Sequence, residues 1–172
     1  MNASPPSQAH GPGPNRRKLL ALVLATLILL GDQLSKTWAF GRLPAGVVRP
    51  FLPGLLQLRR VSNTGAAWSL LSGNPQLLGW ISLLVSLGLL VWILREPPTD
   101  RWQALAFGFL LGGAAGNGLD RWRLGSVVDF LEFMPHSFPI FNIADIAINL
   151  AVACFALHLL APQRRSRGSS TP

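Results

Sequence analysis

The sequence predicts an α-helical polytopic membrane protein, with four transmembrane helices and a small extracytoplasmic β-sheet and loop region. Three observations carry that expectation. Hydrophobic residues make up 49% of the 172 and charged residues only 13%, about half the roughly 25% usual in soluble domains. Several stretches run without charge for about the 18 residues needed to cross a hydrocarbon core of about 30 Å. Basic clusters stand at the outer ends of those stretches: Arg16, Arg17 and Lys18 before the first, Arg164, Arg165 and Arg167 after the last.

Fifteen basic residues against seven acidic ones give a formal charge of +8 and a pI near 11.7. Taken alone, that balance invites a phosphate-rich partner. The flanking positions assign it to anionic lipid headgroups instead, so membrane lipid is an expected partner and nucleic acid is not.

In chain order, residues 1–17 are rich in Pro, Gly, Ser and Asn and read as a disordered arm. Residues 18–163 form the four-span domain, and residues 164–172 a basic cytoplasmic tail. Span 1 starts at Leu19, runs uncharged to Gly31 and continues through Asp32 and Lys36 to about Phe40. It resembles a secretory signal in its basic start. However, Asp32, Gln33 and Leu34 occupy the place of a small-residue cleavage site, so the span is retained. Spans 2, 3 and 4 are Leu77–Leu94, Trp102–Leu119 and Ile146–Gln163. An even number of spans puts both termini on one side, and the basic cluster before span 1 makes that side cytoplasmic. Outer loops then cover about Gly41–Pro75 and Arg121–Ile140, with Arg95–Arg101 facing the cytoplasm. Within the first outer loop, Leu55–Val61 alternates imperfectly between Pro, Gly and Asn punctuation, which predicts a small sheet on the outer membrane surface.

The only cysteine, Cys154, excludes an intramolecular disulfide and reads as a small buried hydrophobe. A dyad with His158, four residues on, would need a thiolate in hydrocarbon. His10, His136 and His158 lie in different regions, with no ligand-like spacing, so neither a metal nor a cofactor is expected.

Charge near the bilayer centre costs about 2.5–3.5 kcal/mol per residue on insertion scales, so each buried charge asks for a reason. Asp32 and Lys36 stand one helical turn apart and can pair. Gly108, Gly112 and Gly116 form a small-residue face for close helix packing. Asp120 continues that face, beside Asn117 and Arg121, and reads as a hydrogen-bonded corner. Asn142, Asp145 and Asn149 at i, i+3 and i+7 fall on one face of span 4 and point into the bundle. Asp129, after Val127 and Val128, is the natural second carboxylate. Brought together, Asp129 and Asp145 would share a proton, one activating water and the other protonating a carbonyl. The other reading is structural, with Asp129 capping a loop and Asp145 capping span 4.

Five blocks in order, spread over about Leu30–Leu160, resemble the bacterial lipoprotein signal peptidase (signal peptidase II) family of membrane aspartyl peptidases. They are DQLSK at Asp32–Lys36, NTGAAWSLL at Asn63–Leu71, GGAAGNGLDR at Gly112–Arg121, VVDF at Val127–Phe130 and FNIAD at Phe141–Asp145. The resemblance implies that Asp129 and Asp145 form a catalytic dyad. The dyad would cleave a prolipoprotein just before its diacylglyceryl-modified cysteine, with no cofactor. It further implies that Asn63, Gly65, Asn117 and Arg121 hold the substrate backbone or shape the pocket. Asp32, Lys36, Gly116, Asp120 and Asn142 would support the site. The implied enzyme is a monomer of the bacterial inner membrane acting near its outer face. Trp68 departs from the family's commoner Phe, and the N-terminal arm is long.

Two other functions remain open on the residues alone. A small proton-coupled transporter would use Asp32, Lys36, Asp120 and Asp145 as a relay. A non-catalytic scaffold would use the glycine face to bind other helices. A relay needs polar groups through the full membrane depth, whereas these gather toward one side.

Overall fold

The computed structural model describes residues 13–65, 73–134 and 138–161. The described residues form four long helices and three strands, in the order α1 (Pro14–Arg42), β1 (Val48–Leu52), β2 (Leu56–Asn63), α2 (Pro75–Arg95), α3 (Arg101–Leu124), β3 (Val127–Phe133) and α4 (Ile143–Leu160). Each helix starts where local chemistry dictates. Proline occupies the first turn of α1 and α2, where its missing N–H costs nothing. Asp100 caps α3 by accepting from the Gln103 N–H at 2.9 Å. Gly125, at φ 68°, ends α3 in the left-handed conformation that glycine adopts without penalty. Because α1 begins at Pro14, Arg16 and Arg17 lie in its first turns rather than before it.

Three of the helices, α1, α2 and α4, are long and apolar enough to cross a membrane. The expected span at Trp102–Leu119 is α3, whose 24 residues extend about 36 Å at 1.5 Å per residue. Its composition is less apolar because α3 packs against all three other helices. It spends its length on glycine and alanine, which let backbones approach where lipid supplies no hydrophobic drive. A Cβ at Gly108 would stand 2.8 Å from the Ala21 carbonyl, and one at Gly112 would stand 2.7 Å from that of Ala25. The glycine face is therefore the α1–α3 contact. The outward sides of the helices carry exposed Leu19, Leu27, Leu34, Leu84, Val152 and Leu159. In a membrane protein that pattern is the lipid face.

The strands form one antiparallel sheet in the order β1-β2-β3. The first outer segment supplies two strands of the expected sheet, but the third comes from Arg121–Ile140, where the sequence predicts only a loop. Asn63 pairs with Val127 and Val61 with Asp129, with an irregularity between Leu58 and Val61. Leu58 and Phe130 pack with Ala39 and Leu43, fastening the sheet to the end of α1. Leu131 and Phe141 exchange backbone hydrogen bonds of 2.9 Å in both directions, which delivers the chain from β3 to the start of α4.

Candidate functional site

Five elements converge where the sheet meets the helix ends. The floor is ionic. On α1, Asp32 and Lys36 sit one turn apart, with Lys36 Nζ 2.8 Å from Asp32 Oδ2. The same ammonium lies 3.1 Å from Asp120 Oδ2 on α3 and donates to Asn117 Oδ1 at 2.8 Å. All four side chains are buried. Gly116 makes room for this cluster, since a Cβ there would stand 2.5 Å from Asp32 Oδ2. A charge this deep is tolerable only when its partners and hydrogen bonds are complete.

The two floor carboxylates also reach the backbone. Asp120 Oδ2 accepts from the Val128 N–H at 3.2 Å, and Asp32 Oδ1 accepts from the Ala144 N–H at 3.0 Å. Val128 precedes Asp129 and Ala144 precedes Asp145. The ion cluster thus fixes the main chain one residue before each candidate carboxylate.

Asn142 joins the two carboxylates. Its side-chain amide donates to Asp129 Oδ1 at 2.6 Å and to Asn117 Oδ1 at 3.1 Å. Its backbone N–H donates to Asp145 Oδ2 at 3.1 Å, while its Oδ1 accepts from the Asp145 N–H at 3.0 Å. This is a reciprocal capping box at the start of α4. Asn117 donates to Asp145 Oδ1 at 2.8 Å, and Asn63 donates to Asp129 Oδ2 at 2.9 Å. Every oxygen of the pair therefore accepts a bond from a neutral amide, and among the described residues none forms an ion pair. Capping and pairing coexist: Asp145 closes the capping box and also faces the other carboxylate's network.

Asp129 is only 2% exposed, whereas Asp145 is half-buried. Burial, and next the neighbouring Asp145 charge, push the Asp129 carboxyl up to about 7. The amides of Asn63 and Asn142 and the more distant Lys36 pull the other way. A carboxyl raised this far can keep its proton near neutral pH and so donate it, beside a second carboxylate that can accept one.

Asn63, Gly65 and Arg121 form the rim. Asn63 Oδ1 accepts from the Gly65 N–H at 2.9 Å, and the Arg121 guanidinium donates to the Gly65 carbonyl at 3.0 Å. Arg121 also reaches the Asn117 carbonyl at 3.4 Å, and its buried Nε has no partner among the described residues.

All the residues singled out for the site thus gather in one region. Asn149 does not point into the bundle: it is exposed, and its amide donates back to the Asp145 carbonyl at 2.9 Å. A polar side chain that bonds its own helix has no need of a bundle partner. Gln33 was passed over. Its amide reaches Asp120 Oδ1 at 3.0 Å and both Asp32 Oδ2 and the Gly116 carbonyl at 3.2 Å. Its place between Asp32 and Lys36 in a span was the available signal. His158 engages Asp100, so its ring serves the far end of the bundle. Trp68, His10, His136, most of the arm and the tail from Arg164 lie outside the described residues.

Comparison with known proteins places the chain in a family. Residues 24–161 match the family described as signal peptidase (SPase) II. A lipoprotein signal peptidase of Synechococcus sp. (strain RCC307) is 54% identical over 145 residues, covering 84% of this chain and 96% of the relative. One from Parasynechococcus marenigrum (strain WH8102) is 50% identical over 151 residues, covering 88% and 95%. Among solved structures, a bacterial membrane enzyme determined by the in meso method at 2.3 Å superposes with a TM-score of 0.77 at 27% identity, covering 88% of this chain and 94% of that one.

Proposed function

The chain belongs to the signal peptidase II family, and we propose that Asp129 and Asp145 are the pair with which it hydrolyses its substrate. It is an aspartic-type membrane peptidase that removes signal peptides from prolipoproteins. Asp145, the more exposed of the two, takes a proton from water as the water oxygen attacks the scissile carbonyl carbon. Asp129 holds the shared proton and gives it to the carbonyl oxygen. As the tetrahedral diol collapses, one of its hydroxyls returns a proton to Asp129, the C–N bond breaks, and the proton on Asp145 passes to the leaving amine. No cofactor enters this scheme.

The observation that carries the reading is the double attachment of Asn142 to both carboxylates. Asn117 holds Asp145, while Asp32, Lys36, Gly116 and Asp120 fix the backbone beneath the pair. Asn63, Gly65 and Arg121 present donors and acceptors to the extended substrate backbone. One copy of the chain supplies every one of these groups, which supports a monomer. The bond cut is the one just before the diacylglyceryl cysteine, whose acyl chains reach the site by lateral diffusion. The enzyme sits in the bacterial inner membrane with both termini cytoplasmic and the sheet end outward, because the basic start of α1 favours the cytoplasmic side.

The test is a single turnover of purified protein on a lipidated prolipoprotein in 18O-labelled water. The expected products are an N-terminal lipidated cysteine and one 18O atom in the new carboxylate of the signal peptide. A product cut elsewhere would overturn the site of scission. Absence of label in the first turnover would indicate an acyl-enzyme and remove the activated water.

A further inference from the structure

Charge is segregated by burial at the sheet end of the bundle. Asp32, Asp120, Asp129 and Glu132 are buried there, and Asp145 is half-buried. Apart from Arg60 and Arg121, which are half-buried, the arginines at this end are disposed the opposite way. Arg42, Arg49, Arg59 and Arg123 are exposed. Arg60 lies over the Phe40 ring, 4.6 Å from its centroid, and donates to the Phe40 carbonyl at 3.3 Å. Arg59 is partly offset by Glu132 at 3.2 Å. At this end the described acidic side chains are turned inward, and the surface is positive.

The same surface is apolar. All five residues of β1 are exposed, including Val48, Phe51 and Leu52, and exposed Val47 and Leu55 flank the strand. The strand follows α1 directly, whose last turns expose Trp38 and Phe40 in the manner of an interfacial aromatic belt. An apolar strand beside exposed arginines, at the boundary where a span ends, matches a surface with hydrocarbon below and anionic phosphates above.

We infer that β1 and its flanks dock on the membrane and that Arg42 and Arg49, with Arg60, bind anionic phospholipid headgroups. The occupant is lipid: the exposed aliphatic and aromatic side chains meet acyl chains while the guanidiniums meet phosphodiesters. Docking of this kind would hold the sheet, and so β3 and Asp129, at a set depth against the lipid-anchored substrate. The surface stands independently of the cleavage chemistry.

A depth measurement tests it. The full chain carries a nitroxide at Phe51→Cys, with Cys154→Ala, in vesicles of phosphatidylcholine alone or mixed with phosphatidylglycerol. The expected result is a label reached by oxygen and shielded from an aqueous nickel chelate, buried about 5–10 Å below the headgroups, and deeper when phosphatidylglycerol is present. Arg42→Ser with Arg49→Ser should abolish the phosphatidylglycerol-dependent shift. A label open to the chelate in both lipids would overturn the inference. So would a label immobilised only on adding lipidated prolipoprotein, which would give the surface to the substrate. The depth reading stands whether or not the vesicles cleave, so its failure and failure of the peptidase reading are separable.

Discussion

The Asn142 side chain donates to Asp129 at 2.6 Å while its own backbone N–H holds Asp145 at 3.1 Å, so one residue sets the relation between the two carboxylates. Asn142→Ala removes the helix cap and the amide together. Asn142→Ser restores a good cap but leaves Asp129 without that donor. The cap itself is worth about 1 kcal/mol, so serine should melt higher than alanine. Both should lose activity by about 10²-fold, the usual consequence of slight misplacement of reacting groups. Thermal melts and kcat read the two effects separately.

Asp129 gives the enzyme a pH dependence whose sign is fixed. Its carboxyl is pushed up to about 7, so the protonated donor is lost as pH rises through about 7. The profile of kcat/KM should therefore fall on its alkaline side with an apparent pKa near that value, a property of the coupled pair. The same shift acts on stability. A carboxyl raised above its unfolded value of about 3.9 contributes stability fully present below that value and lost as pH rises through about 7. Asp145→Asn removes the charge that helps raise Asp129. The infrared band of the protonated carboxyl should then disappear at a lower pH than in the unaltered protein.

Lys36 is the one cation of the floor cluster and faces Asp32 and Asp120 with almost no solvent, at 3% exposure. Lys36→Met leaves two buried carboxylates uncompensated and should cost about 3–5 kcal/mol of stability. Adding Asp32→Asn to it should recover part of that loss, which a denaturation series in detergent would measure.

Gly116 and Gly41 make a contrast between two glycines on helices. Gly116→Ala places a Cβ 2.5 Å from Asp32 Oδ2, whereas nothing lies within 4 Å of a Cβ at Gly41. Overpacking at Gly116 should cost about 1–3 kcal/mol and reduce cleavage. Gly41→Ala should gain about 0.5–1 kcal/mol and leave cleavage unchanged. Melting temperatures and cleavage rates of the two variants check both.

The helices were legible because charge-free runs between basic clusters have a length that only a membrane explains, and α2 follows its expected span to within a few residues. The pairing of Asp32 with Lys36 was legible from helical spacing alone. Third partners were not. That Lys36 also meets Asp120, or that Asp129 sits on a strand paired with Val61, depends on packing between segments far apart in the chain. β3 hid for a further reason: Val127, Val128, Asp129 and Phe130 are all buried, so the strand lacks the alternation that marks a half-buried one. Asn149 misled because a helical wheel gives the face of a residue but not where its neighbours end. The motifs marked the site residues, and the folded chain supplies the amide network that connects them.

The central claim is that Asp129 and Asp145 act together. Its most direct test is cleavage of a lipidated prolipoprotein by the unaltered protein, Asp129→Asn and Asp145→Asn side by side, each shown to insert and to melt cooperatively. The account predicts that each substitution lowers kcat by about 10²–10⁴-fold while the folded, inserted state persists. Full activity in either variant would contradict it.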